Sequence, residues 1–127
     1  MQSLLTILTS SIVLFAIDVS YLQTFGKPFI DQTAKIQNAP FKLNTLGAFF
    51  SYLCIIILLN YFVLLRSGSL FDAFLLGTLT YGVYDMTNMA LFKDWDMTLA
   101  IIDIIWGGTL FTFTTFITNW ILSTVYK

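Results

Sequence analysis

The sequence predicts an all-α, four-helix transmembrane bundle formed by a single domain of 127 residues. The composition is 57% hydrophobic and only 10% charged, whereas soluble domains carry about 25% charged residues. The apolar residues also fall into four runs of helix length, separated by polar or glycine-containing stretches. Since about 20 apolar residues cross a bilayer core as a helix, the predicted spans are residues 4–22, 43–65, 70–91 and 97–123.

Several classes of protein are excluded by residues that the chain lacks. It has no histidine, which rules out imidazole zinc sites and His-based catalytic triads. The formal net charge is −1 and no basic tract is present, so nucleic-acid binding has no electrostatic basis. Glycine-rich phosphate loops and nucleophile elbows are also absent. The one cysteine, Cys54, lies in an apolar run and is interpreted as a small buried hydrophobic residue.

The first predicted span, residues 4–22, has about the length of a bilayer core. No Lys or Arg precedes its apolar run, so we interpret it as a retained helix rather than a cleaved signal peptide. Helical spacing places Ser11 and Asp18 on one face, which we expect to turn toward protein.

Residues 23–42 form the only long connection between predicted spans. Pro28 and Pro40 interrupt helix near its two ends. The segment between them is compatible with a short helix at the membrane interface and with a solvated loop.

Small residues on the second and third spans predict close contacts between helices. Gly47 and Ser51 form a small-xxx-small pair, which favours helix association and is available for a homodimer. On the third span, Ser69, Ala73 and Gly77 recur every four residues. We expect this seam to approach another helix of the bundle.

The fourth span is predicted to begin after Asp96, which suits the N-cap position. Its second half is rich in threonine. Hydroxyl groups can donate to carbonyls of their own helix, so such a run is tolerated in lipid. The threonines are Thr109, Thr112, Thr114, Thr115 and Thr118.

Charge in the loops predicts how the bundle is oriented. Four spans place both termini on one side, and the opposite side carries more Lys and Arg. Because such loops tend to stay in the cytoplasm, we expect the 23–42 connection inside and both termini outside. The basic residues are Lys27, Lys35, Lys42 and Lys93 on the loop side, and Arg66 and Lys127 on the terminal side.

Three aspartates fall inside predicted spans at similar depth. Asp18 lies about one helical turn from the loop end of its span, and Asp85 and Asp103 lie about two turns from the 92–96 turn. The three carboxyls would then share a layer roughly 6–10 Å inside the membrane boundary. Because an ionised carboxylate in hydrocarbon costs about 2.5–3.5 kcal/mol even on lenient scales, we expect them to face each other or water.

This layer can be stabilised in three ways. A hard cation such as Mg²⁺, Ca²⁺ or Na⁺ can bind Asp18, Asp85 and Asp103, since oxygen ligands favour such ions. The carboxyls can share protons, or they can accept hydrogen bonds from nearby side chains. The predicted ligand- or ion-binding residues are Asp18, Tyr81, Tyr84, Asp85, Thr87, Asn88, Asp103 and Trp106.

The residues are compatible with three functions. The pocket can bind or transport a cation, a proton or a small polar headgroup in the bilayer. It can instead belong to a lipid-modifying enzyme in which an aspartate is the acid or base and Tyr84 assists. The third hypothesis is structural, because polar residues also fix helix packing in membranes; the protein would then organise an envelope or virion membrane.

The stretch around the two inner aspartates resembles a family of small integral membrane proteins of unknown function, found in bacteria and large DNA viruses and predicted to have four helices. The family pattern is Tyr-Asp-Leu-Thr-Asn, a turn with a basic residue and Trp-Pro, and Asp-x-x-Trp-Gly. Asp96 stands at the family's proline, and Tyr21 replaces a tryptophan that follows the residue matching Asp18. The resemblance implies the four-helix fold and supports the choice of Asp18, Asp85 and Asp103 as site residues. It implies no activity. The matching residues are Tyr84, Asp85, Thr87, Asn88, Lys93, Trp95, Asp103, Trp106 and Gly107.

Overall fold

The chain is all helical in a computed structural model that describes every residue from 1 to 127. Helix makes up 84% of it and no strand is present. The elements are α1 (Gln2–Phe25), α2 (Lys27–Gln37), α3 (Thr45–Phe62), a 3-10 turn (Leu64–Arg66), α4 (Leu70–Leu91) and α5 (Met97–Val125). The prediction of an all-α fold is therefore confirmed.

Three helices, rather than the four predicted, are long and apolar enough by themselves to cross a membrane. They are α1, α3 with its 3-10 extension, and α5. The predicted third span forms α4 over the same residues, 70–91. Two aspartates and several Tyr, Thr and Asn side chains make α4 less apolar than the other three helices.

Local sequence signals explain where three of the helices begin. The Asn44 side chain accepts a hydrogen bond from the Gly47 N–H at 3.0 Å at the start of α3. Ser69 and Asp72 form a reciprocal capping box at the start of α4. The Asp96 carboxylate accepts from the Leu99 N–H at 2.9 Å, which confirms its predicted N-cap role.

The long connection contains helix α2. The chain bends at Gly26 directly from α1 into α2, and Pro28 lies in the first turn of α2, where its missing N–H is tolerated. Asn38 ends α2 in the left-handed conformation, with φ of 53°. Of the two alternatives left open by the sequence, the helix is therefore the observed one.

Helices α4 and α5 form the closest pair in the bundle, and glycines allow the approach. A Cβ added at Gly77 would collide with the Gly107 carbonyl oxygen, and one added at Gly107 would collide with the Tyr81 ring. Ala73, Gly77 and Asp85 are buried along the seam of α4. Helix α1 packs against α5, and α3 packs mainly against α1. The buried apolar residues that join the helices are Leu14, Leu59, Val63, Ala73, Leu110 and Phe111.

The buried face of α1 differs by one position from the prediction. It is formed by residues spaced by four, Thr6, Ser10, Leu14 and Asp18, and it includes Ser10 rather than Ser11. Ser10 accepts a hydrogen bond from the Asn60 amide of α3 at 2.9 Å. Ser11, which lies beside this stripe, donates to the carbonyl of its own helix.

Two residues of α3 that were predicted to be buried or to contact another helix lie on its outer face. Cys54 is exposed, not buried. Gly47 faces away from the other helices, because an added Cβ would meet only the Asn44 side chain. The reason is that α3 packs against α1 through a different face, which includes Leu59 and Asn60. Use of the Gly47 and Ser51 pair by a homodimer stays a prediction.

The threonines of α5 divide into two groups. Thr109 and Thr112 donate to carbonyls one turn earlier, at 2.8 and 2.7 Å, as predicted. Thr114, Thr115 and Thr118 are buried between helices, and their hydroxyls have no hydrogen-bond partner.

Candidate functional site

A cavity of about 890 Å³ lies among α1, α3, α4 and α5, in the half of the bundle nearer the 92–96 turn. We call it the aspartate cavity. Fourteen of its 22 lining residues are hydrophobic. Phe29, Gln32 and Thr33 of α2 line its loop-side end, and the Gln32 side chain accepts a hydrogen bond from the Asp96 N–H at 2.7 Å. The wall is thus mainly apolar, and α2 covers one end of it.

The structure brings six of the eight predicted residues to this cavity. Tyr84 lies at the rim with 58% of its surface exposed. Thr87 and Asn88 are not part of the lining. Thr87 is two residues beyond Asp85 and therefore points about 200° away around the helix. The six lining residues are Asp18, Tyr81, Tyr84, Asp85, Asp103 and Trp106.

Asp18 is held by two hydrogen bonds from other helices. The Tyr52 hydroxyl of α3 donates to Asp18 Oδ2 at 2.5 Å, and the Trp106 indole of α5 donates to Oδ1 at 2.9 Å. The Trp106 ring also stacks on Tyr21, with centroids 3.9 Å apart. Because both carboxylate oxygens have donors, Asp18 ties α1, α3 and α5 together.

Tyr52 and Gln32 are cavity residues that the sequence reasoning missed. Each comes from an element whose orientation depends on tertiary packing, α3 or α2. A signal for Tyr52 was available, because it is a phenol with a polar group in the middle of an otherwise apolar span. Nothing local in the sequence indicates that Gln32 folds back against the 92–96 turn.

Asp85 and Asp103 differ from Asp18 because neither accepts a hydrogen bond from a helix neighbour. Both line the cavity, from the neighbouring helices α4 and α5. Asp85 is only 2% exposed, and its Oδ2 has no partner. The Trp95 indole N–H, in the turn between α4 and α5, is also buried without a hydrogen-bond partner. A buried polar atom without a partner costs about 1–3 kcal/mol, so this site is suited to receive a donor.

No basic side chain lines the cavity. The only salt bridge of the protein joins Lys27 and Asp31 on the exposed face of α2, at 2.7 Å. No group of three or more Asp, Glu, His or Cys side chains is arranged to hold a metal ion. A cation bound jointly by the three aspartates stays a prediction, and it would share the Asp18 oxygens with the Tyr52 and Trp106 donors.

Comparison with known proteins identifies the family but no activity. Residues 3–120 match the family model described as predicted membrane protein DUF2177. Neither the curated proteins nor the solved structures give a match. The family match covers nearly the whole chain, and it confirms the resemblance to an uncharacterised membrane family. The chain therefore belongs to the DUF2177 family of predicted membrane proteins.

Proposed function

We propose that the protein binds the polar head of a membrane amphiphile in the aspartate cavity, with the hydrocarbon part of the ligand along the apolar wall. The observation that carries this proposal is Asp85, a nearly fully buried residue of the cavity lining whose Oδ2 has no hydrogen-bond partner. Buried polar atoms are almost always hydrogen-bonded in native proteins. A ligand that donates to Asp85 would complete the site.

The size and lining of the cavity support an amphiphile rather than a bare ion. Its volume of about 890 Å³ lies within the range of roughly 300–1,000 Å³ found for small-molecule sites. Such sites are mainly apolar with a few polar groups that fix the orientation of the ligand. Here the acidic groups that carry no donated hydrogen bond are Asp85 and Asp103, and the 14 hydrophobic residues of the wall suit hydrocarbon.

The packing of the helices supports entry from the membrane. Helix α3 packs mainly against α1 rather than α4, yet both α3 and α4 line the cavity. The open side of the cavity therefore lies between α3 and α4. In a bilayer this side would face lipid, provided that α4 crosses the membrane alongside α5. The basic loop residues favour an arrangement with α2 and the 92–96 turn in the cytoplasm and both termini outside.

The proposal is tested by lipids that remain bound during purification. The wild-type protein, Asp85→Asn and Asp94→Asn are purified identically in a maltoside detergent, and bound amphiphiles are identified by native mass spectrometry. Asp94 is the matched control, since it is an exposed aspartate outside the cavity. We expect a bound species in the wild type and in Asp94→Asn that is lost from Asp85→Asn. Equal occupancy in all three proteins would contradict the proposal.

A second candidate function, modification of the bound lipid, is favoured by two carboxyls, Asp85 and Asp103, that line one cavity from neighbouring helices. Two carboxyls that share one proton can act as acid and base. Lipid analysis of cells with the wild-type protein and with Asp103→Asn tests it. A lipid that disappears, with a product that appears only with the wild type, supports an enzyme. Identical lipid compositions favour binding alone.

A further inference from the structure

We infer that the head taken by the aspartate cavity is a primary ammonium group carried on a hydrocarbon chain. The inference rests on the proposed function and names its ligand class. Three properties of the cavity lead to it: its charge, its aromatic wall and the hydrogen-bonding capacity of its two free carboxyls.

The cavity carries acidic groups without basic ones. Asp18, Asp85 and Asp103 line it, and no Lys or Arg does. A buried charge is stable only when it is paired and hydrogen-bonded. Since the protein supplies no positive group here, a positively charged ligand is the one that compensates the carboxylates most fully.

Aromatic side chains line the same cavity as the free carboxyls. Trp106 and Tyr21 stack with nearly parallel rings, at an angle of 8°. Tyr84 and Trp95 meet edge to face with centroids 6.0 Å apart. All four residues line the cavity. Aromatic faces attract cations, and the attraction grows when the cation is desolvated. The wall therefore favours the same sign of charge as the carboxyls.

The free acceptors decide which cation fits. Asp85 and Asp103 line the cavity from the neighbouring helices α4 and α5, and Asp85 Oδ2 lacks a donor. A primary ammonium has three N–H donors, so it can bond to both carboxyls at once. A quaternary ammonium has no N–H, and a hydroxyl has one donor but no charge. The primary ammonium is the group that satisfies both requirements.

Two further buried groups bear on the source of the amine. The Tyr21 hydroxyl and the Trp95 indole N–H line the cavity and have no hydrogen-bond partner. Both can donate to an oxygen beside the amine, as in the phosphate of an aminophospholipid. A free long-chain amine presents the same ammonium without that oxygen.

The test compares three ligands with one hydrocarbon chain and different heads: dodecylamine, dodecanol and dodecyltrimethylammonium. Each is titrated into the full-length protein in maltoside micelles, with tryptophan fluorescence as the readout, because Trp95 and Trp106 line the cavity. We expect dodecylamine to bind at least about tenfold tighter than the other two, since charge-assisted hydrogen bonds contribute most. Asp85→Asn and Asp103→Asn should each weaken the binding of dodecylamine by about tenfold, and Asp94→Asn should leave it unchanged.

The outcomes separate this inference from the proposed function. If dodecanol binds as tightly as dodecylamine and both depend on Asp85, the inference of an ammonium head is wrong, and the proposal of amphiphile binding stands. If dodecyltrimethylammonium binds as tightly as dodecylamine, positive charge is sufficient for binding, and the inference of a primary ammonium is wrong. If none of the three changes wild-type fluorescence, both proposals fail. The ranking of ligands on the wild type needs no variant, so it is unaffected by a variant that fails to fold.

A last comparison identifies the source. Dodecylamine binding is measured in nanodiscs of phosphatidylcholine alone and in nanodiscs that also contain phosphatidylethanolamine. Competition by phosphatidylethanolamine supports the ammonium of an aminophospholipid. Absence of competition, with dodecylamine still bound, supports a free long-chain amine.

Discussion

At the residue scale, the cavity contains the same side chain in two opposite environments. Asp18 accepts one hydrogen bond at each oxygen, from Tyr52 and from Trp106. Asp85 is more deeply buried, at 2% against 7% exposed, and its Oδ2 accepts none. Burial of a carboxyl is tolerated when donors are present and is otherwise unfavourable. Asp18 therefore belongs to the framework of the bundle, and Asp85 is the residue at which ligand binding is proposed.

The framework role of Asp18 predicts that Tyr52→Phe destabilises the protein. Loss of the phenol leaves one oxygen of a buried carboxylate without its donor, which costs about 1–3 kcal/mol. Thermal unfolding in maltoside micelles measures the loss. Tyr61→Phe is the control on the same helix, because Tyr61 is 53% exposed. Equal unfolding temperatures for the two variants would show that the Tyr52–Asp18 hydrogen bond contributes nothing.

The glycines of α4 provide a second residue-scale prediction. An Ala at Gly77 would place its Cβ against the Gly107 carbonyl, whereas an Ala at Gly82 would meet nothing within 4 Å. We expect Gly77→Ala to destabilise by about 1–3 kcal/mol through overpacking. Gly82→Ala should be neutral or stabilise by up to about 1 kcal/mol, since glycine is unfavourable within a helix. The same unfolding assay compares them, and equal effects would refute the close α4–α5 contact.

At the scale of elements, α2 is the least anchored helix next to the site. Only Gln32 is buried among its residues, and its side chain makes the one hydrogen bond from α2 to the 92–96 turn. Gly26 and the left-handed Asn38 mark the two ends of α2. Since α2 also lines the cavity, its attachment controls how far the loop-side end is covered.

Removal of the Gln32 side chain should therefore loosen α2. A neutral hydrogen bond contributes about 0.5–1.5 kcal/mol, which corresponds to amide exchange in α2 that is about two- to tenfold faster in Gln32→Ala. Hydrogen–deuterium exchange with mass spectrometry measures it. Gln23→Ala, at an exposed position of α1, should leave exchange in α2 unchanged. Unchanged exchange in Gln32→Ala would mean that other contacts hold α2 in place.

At the scale of the whole molecule, the two halves of the bundle have different interiors. The half nearer the chain termini is closed by a cluster that includes Leu59, Val63 and Leu110. The half nearer α2 contains the aspartate cavity. The least apolar long helix, α4, carries Asp85 and packs closely against α5. Asp85 is buried against protein, which is how a helix that contains a carboxyl can lie in a bilayer, whereas Asp72, Tyr84 and Thr87 of the same helix are exposed.

A transmembrane α4 predicts that both termini lie on the same side. In a Cys54→Ala background, Ser3→Cys, Lys127→Cys and Lys93→Cys are labelled one at a time with a membrane-impermeant maleimide. We expect the two terminal positions to react in intact cells and Lys93→Cys to react only after the membrane is opened. If α4 does not cross, the three remaining spans place the termini on opposite sides, and only one terminal position reacts.

Much of the architecture could be predicted from the sequence, because membrane helices depend on local properties. Apolar run length, the Asp96 cap and the small-residue seam at Ala73 and Gly77 are all features of residues near in sequence. The third predicted span forms α4 over the predicted residues, 70–91, but it is not among the three helices apolar enough by themselves to cross a membrane, because polar residues interrupt its run. The face of α1 was displaced by one residue, since helical spacing leaves Ser10 and Ser11 as near alternatives.

The sequence alone determined that the chain is a helical membrane protein with acidic residues inside its spans. Hydrophobicity and helix periodicity depend on the residue types along the chain and not on how the helices pack. Tertiary structure decided what each acid does. Whether a carboxyl has a donor depends on which distant side chains reach it: Tyr52 and Trp106 reach Asp18, and none completes a bond to Asp85 Oδ2. Those distances arise from how the helices pack, which no local pattern contains.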